Sequence, residues 1–245
     1  MVDIKNNKIN LYTDTDKDKF VNKKIGEVFP NLVDQVYKII KDKIIWHEIK
    51  MRERIIDKKF AEELGVSRSM VRQVLTILVK EELLIMIPRN GFYVREITEK
   101  EIEEIYDIRK VLETHAVKSA VPRNSNSDIT KMEEIFNKAK ENLKRKDTKS
   151  LVEIDIKLHE LIIKNCDNSH IEKIIDKFKN LVNFYRFADQ HEINRATELY
   201  FEHYEMFKSI KSRDIESAAE LMSNHIENSK KHILKNYNKY TYGKL

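Results

Sequence analysis

The N-terminal part of the fold is decided by residues 57–75, Asp57-Lys-Lys-Phe-Ala-Glu-Glu-Leu-Gly-Val-Ser-Arg-Ser-Met-Val-Arg-Gln-Val-Leu75. Apolar side chains recur at helical spacing through Phe60, Ala61 and Leu64, which predicts a short amphipathic helix. Gly65 follows at the position where a helix end favours a left-handed residue. The segment therefore predicts a first helix that stops abruptly before a second one begins.

The second helix is predicted to begin after Ser67, which stands at an N-cap position. Its buried stripe consists of four aliphatic side chains: Val71, Val74, Leu75 and Leu78. Arg68, Ser69 and Arg72 are left on or near the outward face. The N-terminal half of a recognition helix reads base edges, and arginine is the commonest reader of guanine. Taken singly, an arginine at such a position is more often a solvated surface charge.

Two apolar, β-prone runs follow, residues 83–87 and 92–94, and they flank Pro88-Arg89-Asn90-Gly91. Asn-Gly between such runs is a strong hairpin signal. A tight hairpin tipped with Arg89 and Gly91 can lie against a nucleic-acid backbone or enter a minor groove. Two short helices followed directly by a hairpin predict a winged helix-turn-helix, against the alternative of an ordinary α/β fragment.

Composition limits the class of protein. The chain has 245 residues, 36% of them charged, and a net charge of +5, which permits nucleic-acid binding without requiring it. Cys166 is the only cysteine, so an intramolecular disulfide is excluded and a reducing cytoplasm is expected. The sequence shows no apolar run long enough for a bilayer and no signal-peptide core, which predicts a cytoplasmic protein without a membrane partner.

The C-terminal part is predicted to be all-α, because it has no glycine between Phe92 and Tyr242 and a single proline, Pro122. Short polar joints predict an antiparallel bundle of about six helices. These helices are predicted at about 98–121, 128–146, 148–166, 169–188, 190–211 and 214–239. The predicted domains are an N-terminal extension, a winged helix-turn-helix domain and a helical domain, at 1–30, 31–97 and 98–245. The fold class is mainly α.

Four side chains in the bundle have the spacing of a metal site. Asp155 and His159 are four apart on one helix, so they share a face. His203 and His225 lie mid-helix in two later segments. The 22 positions between them are enough for the chain to finish one helix, turn, and return along the next helix to the same level. One carboxylate and three imidazoles could bind Zn²⁺, Ni²⁺ or Mn²⁺. The alternative is a set of buried histidines bonded to their neighbours.

Arg109 is a candidate ligand-binding residue at the edge of the apolar stripe of the first bundle helix. An inward-reaching arginine can clamp a ligand carboxylate with two hydrogen bonds. Its alternative role is an ion pair with Glu113 one helical turn later, and the two roles can coexist.

These motifs together resemble the GntR family of bacterial transcription regulators, in the subgroup with an FCD ligand-binding domain. The resemblance covers about residues 31–240. It rests on segments 60–68 and 88–94, on Tyr106-Asp-Ile-Arg109, and on the four candidate metal ligands. Six bundle helices would place the chain in the smaller variant of the group. It departs from the common pattern in three places: Met51-Arg52 stands for Pro-Gly, Ser69-Met70 for Thr-Pro, and Asn165-Cys-Asp-Asn168 replaces the segment with the usual Ser-Gly-Asn.

The resemblance implies a homodimer that binds a short palindromic double-stranded DNA operator. By position, it implies DNA contacts at Lys58, Ser67, Arg68, Ser69, Arg72 and the wing residues Arg89, Asn90 and Gly91. It also implies that Asp155, His159, His203 and His225 bind the metal, with Arg109 near the carboxylate of a small effector. We therefore expect a metabolite-responsive regulator, a repressor and not an enzyme. Two alternatives are a metal-dependent hydrolase fused to a DNA-binding module, and a regulator whose signal is the metal itself.

Overall fold

A computed structural model describes residues 32–242, without the side chains of Tyr240 and Tyr242. The predicted extension at residues 1–30 lies outside the described residues. The described chain forms two compact units, the first from residues 32–42 and 54–93 and the second from residues 43–53 and 94–242. The domain boundary predicted between residues 97 and 98 stays a prediction.

The first unit is a small helical domain with a three-stranded sheet. Its elements are α1 (Leu32–Ile45, whose last turn belongs to the second unit), β1 (Arg54–Ile55), α2 (Asp57–Leu64), α3 (Arg68–Lys80), β2 (Leu84–Ile87) and β3 (Gly91–Val94). The sheet has the order β1-β3-β2, and Arg54 of β1 lies opposite Tyr93 of antiparallel β3. The predicted winged helix-turn-helix is confirmed.

The local signals that begin and end these helices act as the sequence predicts. Gly65 ends α2 in the left-handed conformation with φ of 64°. The Ser67 hydroxyl accepts a hydrogen bond from the backbone N–H of Met70 at 3.2 Å and so caps α3. The four predicted aliphatic side chains of α3 are all buried. Burial of each such side chain is worth about 1.5–3 kcal/mol, so this stripe attaches the helix to its unit.

The wing is a hairpin, and two of its features were not predicted: the backbone conformation of its turn and the strand that pairs with β3. Left-handed residues occur at Arg89, with φ of 64°, and at Gly91, with φ of 102°. The Asn90 N–H donates to the Ile87 carbonyl at 3.0 Å. Residues 54–55 form β1, a strand that was not predicted from the sequence. Two residues are too few to show a period, and only pairing with β3 makes them a strand.

The second unit is a helical bundle. Its elements are α4 (Glu99–Arg123), α5 (Asn126–Arg145), α6 (Thr148–Asn165), α7 (Ser169–Gln190), α8 (Ile193–Lys211), α9 (Ile215–Lys235) and α10 (Tyr237–Tyr242). The six predicted helices are present as α4–α9. The segment predicted as one helix over 214–239 is interrupted at Asn236, whose side-chain amide donates to the carbonyl of His232 at 2.8 Å. This side chain competes with the backbone ladder, and the chain continues as the short α10.

The joints of the bundle turn without glycine. Three of them place a residue with a Cβ in the left-handed region: Lys146 at φ 56°, Asp167 at φ 56° and Arg213 at φ 64°. That conformation costs roughly 1–2 kcal/mol per residue, which the packing of the neighbouring helices offsets. Within residues 32–242, no helix is both long and apolar enough to cross a membrane.

Candidate metal centre and nucleic-acid interface

The four predicted metal ligands come together inside the second unit. Asp155 and His159 lie on α6, His203 on α8 and His225 on α9, and each is at most 5% exposed. The Nε2 atom of His203 is 3.1 Å from Asp155 Oδ1, 3.3 Å from His159 Nε2 and 3.2 Å from His225 Nε2. One ligand atom from each residue lies within 4.8 Å of the others. Helix periodicity and helix length thus bring together four groups from three helices.

Two further carboxylates contact the ring nitrogens of His159 and His225 that face away from the common centre. His159 Nδ1 is 2.5 Å from Glu113 Oε2, and His225 Nδ1 is 2.8 Å from Glu202 Oε2. A carboxylate accepts hydrogen bonds, so we assign the protons of these two rings to Nδ1. Their Nε2 lone pairs then point toward the common centre, in the arrangement that metal-binding histidines adopt with an outer carboxylate.

The donor set fits a divalent cation. Asp155 Oδ1 is buried and has no hydrogen-bond donor among the described residues, although it faces two imidazole nitrogens. Converging lone pairs repel one another unless a cation lies between them. Neighbouring ligand atoms lie 3.1–3.3 Å apart, a separation compatible with shared coordination of one cation by bonds of about 2.0–2.2 Å.

The protonation states also suit a metal site. Burial lowers the pKa of both His203 and His225 well below the ordinary value, so both rings are neutral near pH 7. Burial alone would raise the pKa of Asp155, but the charge of Arg186 holds it well below its usual range. Neutral imidazoles and an ionised carboxylate are the forms that coordinate a metal.

Arg109 is 2% exposed and lies beside this centre. Its Nε donates to Glu113 Oε1 at 2.7 Å, which confirms the predicted ion pair. Its Nη2 is buried and has no hydrogen-bond partner within residues 32–242. An unsatisfied buried guanidinium donor is costly, and a ligand carboxylate would satisfy it.

A cavity of about 320 Å³ reaches this guanidinium between α6 and α7. Its floor contains Arg109, Glu113, His159 and Arg186, and its walls include aliphatic side chains of both helices. Arg186 Nε lies 3.3 Å from Asp155 Oδ2, and the Gln190 amide donates to the same oxygen at 2.8 Å. Three residues of this centre were not predicted as site residues: Arg186, Gln190 and Glu202. The four-residue spacing of the first two, within the apolar stripe of α7, is the signal that could have found them.

In the first unit, a cleft of about 550 Å³ separates the start of α3 from the wing. It contains six of the eight predicted DNA-contact residues: Lys58, Arg68, Arg72, Arg89, Asn90 and Gly91. Ser67 and Ser69 are exposed at the start of α3 but do not line it. Arg54 and Asp57 line the cleft and were not predicted. Five basic side chains and one acidic side chain make the cleft strongly positive.

Asp57 joins the two arginines of α3. Its Oδ1 accepts from Arg68 Nε at 2.9 Å, and its Oδ2 accepts from Arg72 Nη1 at 3.0 Å. Asp57 is 8% exposed, whereas the side chains of Arg68 and Arg72 are 62% and 54% exposed. Burial alone would raise the pKa of Asp57, but the hydrogen bonds from the two arginines outweigh it and lower the pKa. One buried carboxylate therefore positions two exposed guanidiniums.

Comparison with known proteins yields two domain matches. Residues 32–94 match the bacterial regulatory proteins of the gntR family, and residues 104–228 match the FCD domain. The gluconate operon transcriptional repressor of Bacillus licheniformis is 31% identical over 166 residues, which cover 64% of this chain and 67% of that protein. The uncharacterized HTH-type transcriptional regulator YdhC of Bacillus subtilis is 28% identical over 201 residues, covering 81% and 89%.

Solved structures share the fold. Escherichia coli McbR/YncC aligns with a TM-score of 0.73 at 23% identity, over 85% of this chain and 99% of that chain. A transcriptional regulator from Rhodococcus sp. RHA1 aligns with a TM-score of 0.73 at 21% identity, over 84% and 98%. At this level of identity the likeness concerns the fold alone.

Proposed function

Because this chain belongs to the GntR family of bacterial regulatory proteins and carries an FCD domain, we propose that it is a metabolite-responsive repressor. In this proposal a small carboxylate binds beside a metal ion in the helical unit and changes the affinity of the winged unit for operator DNA. Its relatives are named transcriptional regulators and repressors, which supports a regulatory and not an enzymatic role. The single cysteine supports a cytoplasmic location.

One observation carries the effector part of the proposal. The buried Nη2 of Arg109 has no partner among the described residues, and Arg109 lies on the floor of a cavity beside four convergent metal ligands. When bound, Zn²⁺, Ni²⁺ or Mn²⁺ would supply a Lewis-acid site for a carboxylate oxygen. Asp155, His159, His203 and His225 would hold the ion. Arg109 orients the effector carboxylate, and Glu113 holds both Arg109 and His159 in place.

The DNA part of the proposal rests on the positive cleft of the first unit. Arg68 and Arg72 stand on the first turns of α3 and would read bases in the major groove. Lys58, Ser67 and Ser69 would contact the backbone next to them. Arg89, Asn90 and Gly91 at the wing tip, together with Arg54, would contact the flanking phosphates or the minor groove.

We further propose that the protein binds a palindromic operator as a homodimer. The exposed face of α4 carries Ile108, 45% exposed, and Val111, 70% exposed, three residues apart on the same side of the helix. Neighbouring apolar side chains at such exposure are typical of an interface.

α7 supplies a route from the effector to the chain segment that leads into the DNA-binding unit. One face of α7 presents Arg186 to the cavity. Its other side contacts residues 43–53, where the His47 ring packs at a tilt against Phe184 with the ring centroids 3.8 Å apart, and Trp46 packs edge-on against Phe187 at 4.6 Å. We propose that a shift of α7 on effector binding changes how this segment is held. Such coupling is typically worth about 1–3 kcal/mol.

Metal content tests the proposal first. Purified protein is analysed for metals beside His159→Ala, His203→Ala and the control His170→Ala, which removes an exposed histidine outside the site. We expect about one metal per chain in the wild type and the control, and loss of the metal in both site variants. Binding to an operator selected from random duplexes is then measured by fluorescence anisotropy with and without candidate carboxylates.

The outcomes separate the alternatives. A carboxylate that changes operator affinity in the wild type but not in Arg109→Ala supports the proposal. A change in operator affinity with the metal alone would make the ion the signal. No metal in any preparation, after incubation with Zn²⁺, Ni²⁺ or Mn²⁺, would contradict the metal site, and the cleft residues would remain testable by substitution.

A further inference from the structure

The cavity beside the candidate metal centre has an apolar body. It is lined by Ile156 and Ile163 of α6 and by Ile175 and Val182 of α7. Ile163 and Val182 are buried, whereas Ile156 and Ile175 are only partly covered by the described protein. Aliphatic side chains left partly open along a cavity favour a ligand with apolar surface of its own, because burying that surface removes it from water.

Charge is concentrated at one end of the cavity. Its floor carries the guanidiniums of Arg109 and Arg186 against the single carboxylate of Glu113. The rim carries Lys164 and Lys179 against three carboxylates: Glu160, Glu172 and Asp176. The floor therefore has an excess of positive charge and the rim an excess of negative charge. This distribution suits one anionic group at the floor and does not suit a second one at the rim.

We propose that the effector is a monocarboxylate with an apolar body, rather than a polyhydroxylated sugar acid or a dicarboxylate. The inference rests on the proposed function and names the chemical class of its ligand. The carboxylate bonds to the buried Nη2 of Arg109, and the body lies along the four aliphatic walls. Hydroxyl groups along these four side chains would lose their bonds to water, and the neighbouring Asn183 offers only one amide in exchange.

Isothermal titration with two probes tests this class. Zinc-loaded full-length protein is titrated with octanoate, an apolar monocarboxylate, and with gluconate, a polyhydroxylated one. Metal content is measured after each titration, so that removal of zinc is not mistaken for binding. We expect octanoate to bind more tightly than gluconate, with a negative heat-capacity change because apolar surface is buried.

Two neighbouring residues provide matched variants. Ile175→Asn makes one cavity wall polar, whereas Ile174→Asn makes the same change on a residue of α7 that is 41% exposed and does not line the cavity. We expect Ile175→Asn to weaken octanoate binding about tenfold, the effect of losing one buried aliphatic contact. Ile174→Asn should leave octanoate affinity unchanged. Circular dichroism of both variants confirms that they fold.

Gluconate binding with equal or higher affinity than octanoate, or equal effects of the two substitutions, would overturn the inference while leaving a carboxylate effector in place. Failure of both probes to bind protein that retains its zinc would overturn the inference together with the carboxylate part of the proposed function. Octanoate binding that is lost in Arg109→Ala and weakened in Ile175→Asn alone would support both.

Discussion

Replacing Asp57 with asparagine should reduce the ability of the protein to distinguish its operator from other DNA. The carboxylate holds Arg68 through Nε and Arg72 through Nη1. Asparagine keeps one oxygen, so it can satisfy one arginine, but its amide would meet the other guanidinium donor to donor. The two arginines would no longer be held together before DNA binds.

The magnitude follows from the exposure of the partners. Both arginine side chains are more than half exposed, so the loss of unfolding free energy should be about 1–2 kcal/mol, below that of a fully buried charged pair. Ordering a free arginine side chain on DNA costs up to about 2 kcal/mol. Releasing one of the two should weaken operator binding by about 1 kcal/mol, or about fivefold. Nonspecific affinity should stay or rise, because a negative charge leaves the cleft.

The assay is fluorescence anisotropy with a selected operator and with a scrambled duplex, each at several salt concentrations. Glu62→Gln is the control, because this substitution removes the same charge from the same helix. Glu62 contacts the exposed Lys58 at 3.8 Å and touches neither arginine. We expect the ratio of operator to scrambled affinity to fall about fivefold for Asp57→Asn and to stay constant for Glu62→Gln. Equal changes in both affinities for Asp57→Asn would refute the positioning role, since they would reflect charge alone.

Three further predictions concern the second unit. Burial lowers the pKa of His47 from 6.5 to about 4, so the neutral ring is favoured in the folded state and the free energy of unfolding should fall as the pH drops from 6.5 toward 4. At pH 5 urea unfolding should show a loss of about 2 kcal/mol from this group in the wild type, and the loss should be absent in His47→Gln. Lys146→Gly should stabilise the protein by about 0.5–1 kcal/mol because φ is 56° there, while Lys144→Gly in the preceding helical turn should destabilise it by about 1 kcal/mol, as thermal unfolding would show. Val111→Asp should convert a dimer to a monomer in sedimentation, because it would place a charge in the proposed apolar interface, at a side chain that is 70% exposed in the single chain. An unchanged mass would place the dimer interface elsewhere.

The predictions from sequence worked where the physics is local. Gly65 and Ser67 act on their own backbone neighbours, so the helix end and the cap could be recognised without knowing the fold. The absence of glycine over the C-terminal residues limited that region to helices. Two pairs of the candidate metal ligands could be predicted from spacing, because a helix repeats every 3.6 residues and a short joint returns the chain to the same level. Asp155 was expected beside His159 and His203 beside His225 on this ground, whereas the family resemblance implied that all four bind one metal.

Other features depended on contacts that no local pattern contains. The partner of Arg68 is Asp57, across a turn and on a different helix, and the strand at residues 54–55 exists only because β3 lies beside it. Glu202 and Arg186 looked like ordinary polar residues of amphipathic helices, although tertiary packing places Glu202 behind His225 and Arg186 beside Asp155. Sequence by itself determined which elements form and which of their faces are apolar, because helix and turn preferences act over a few residues. Tertiary structure alone decided which buried charges meet, because the cost of burying a charge selects a partner in space, however distant it is along the chain.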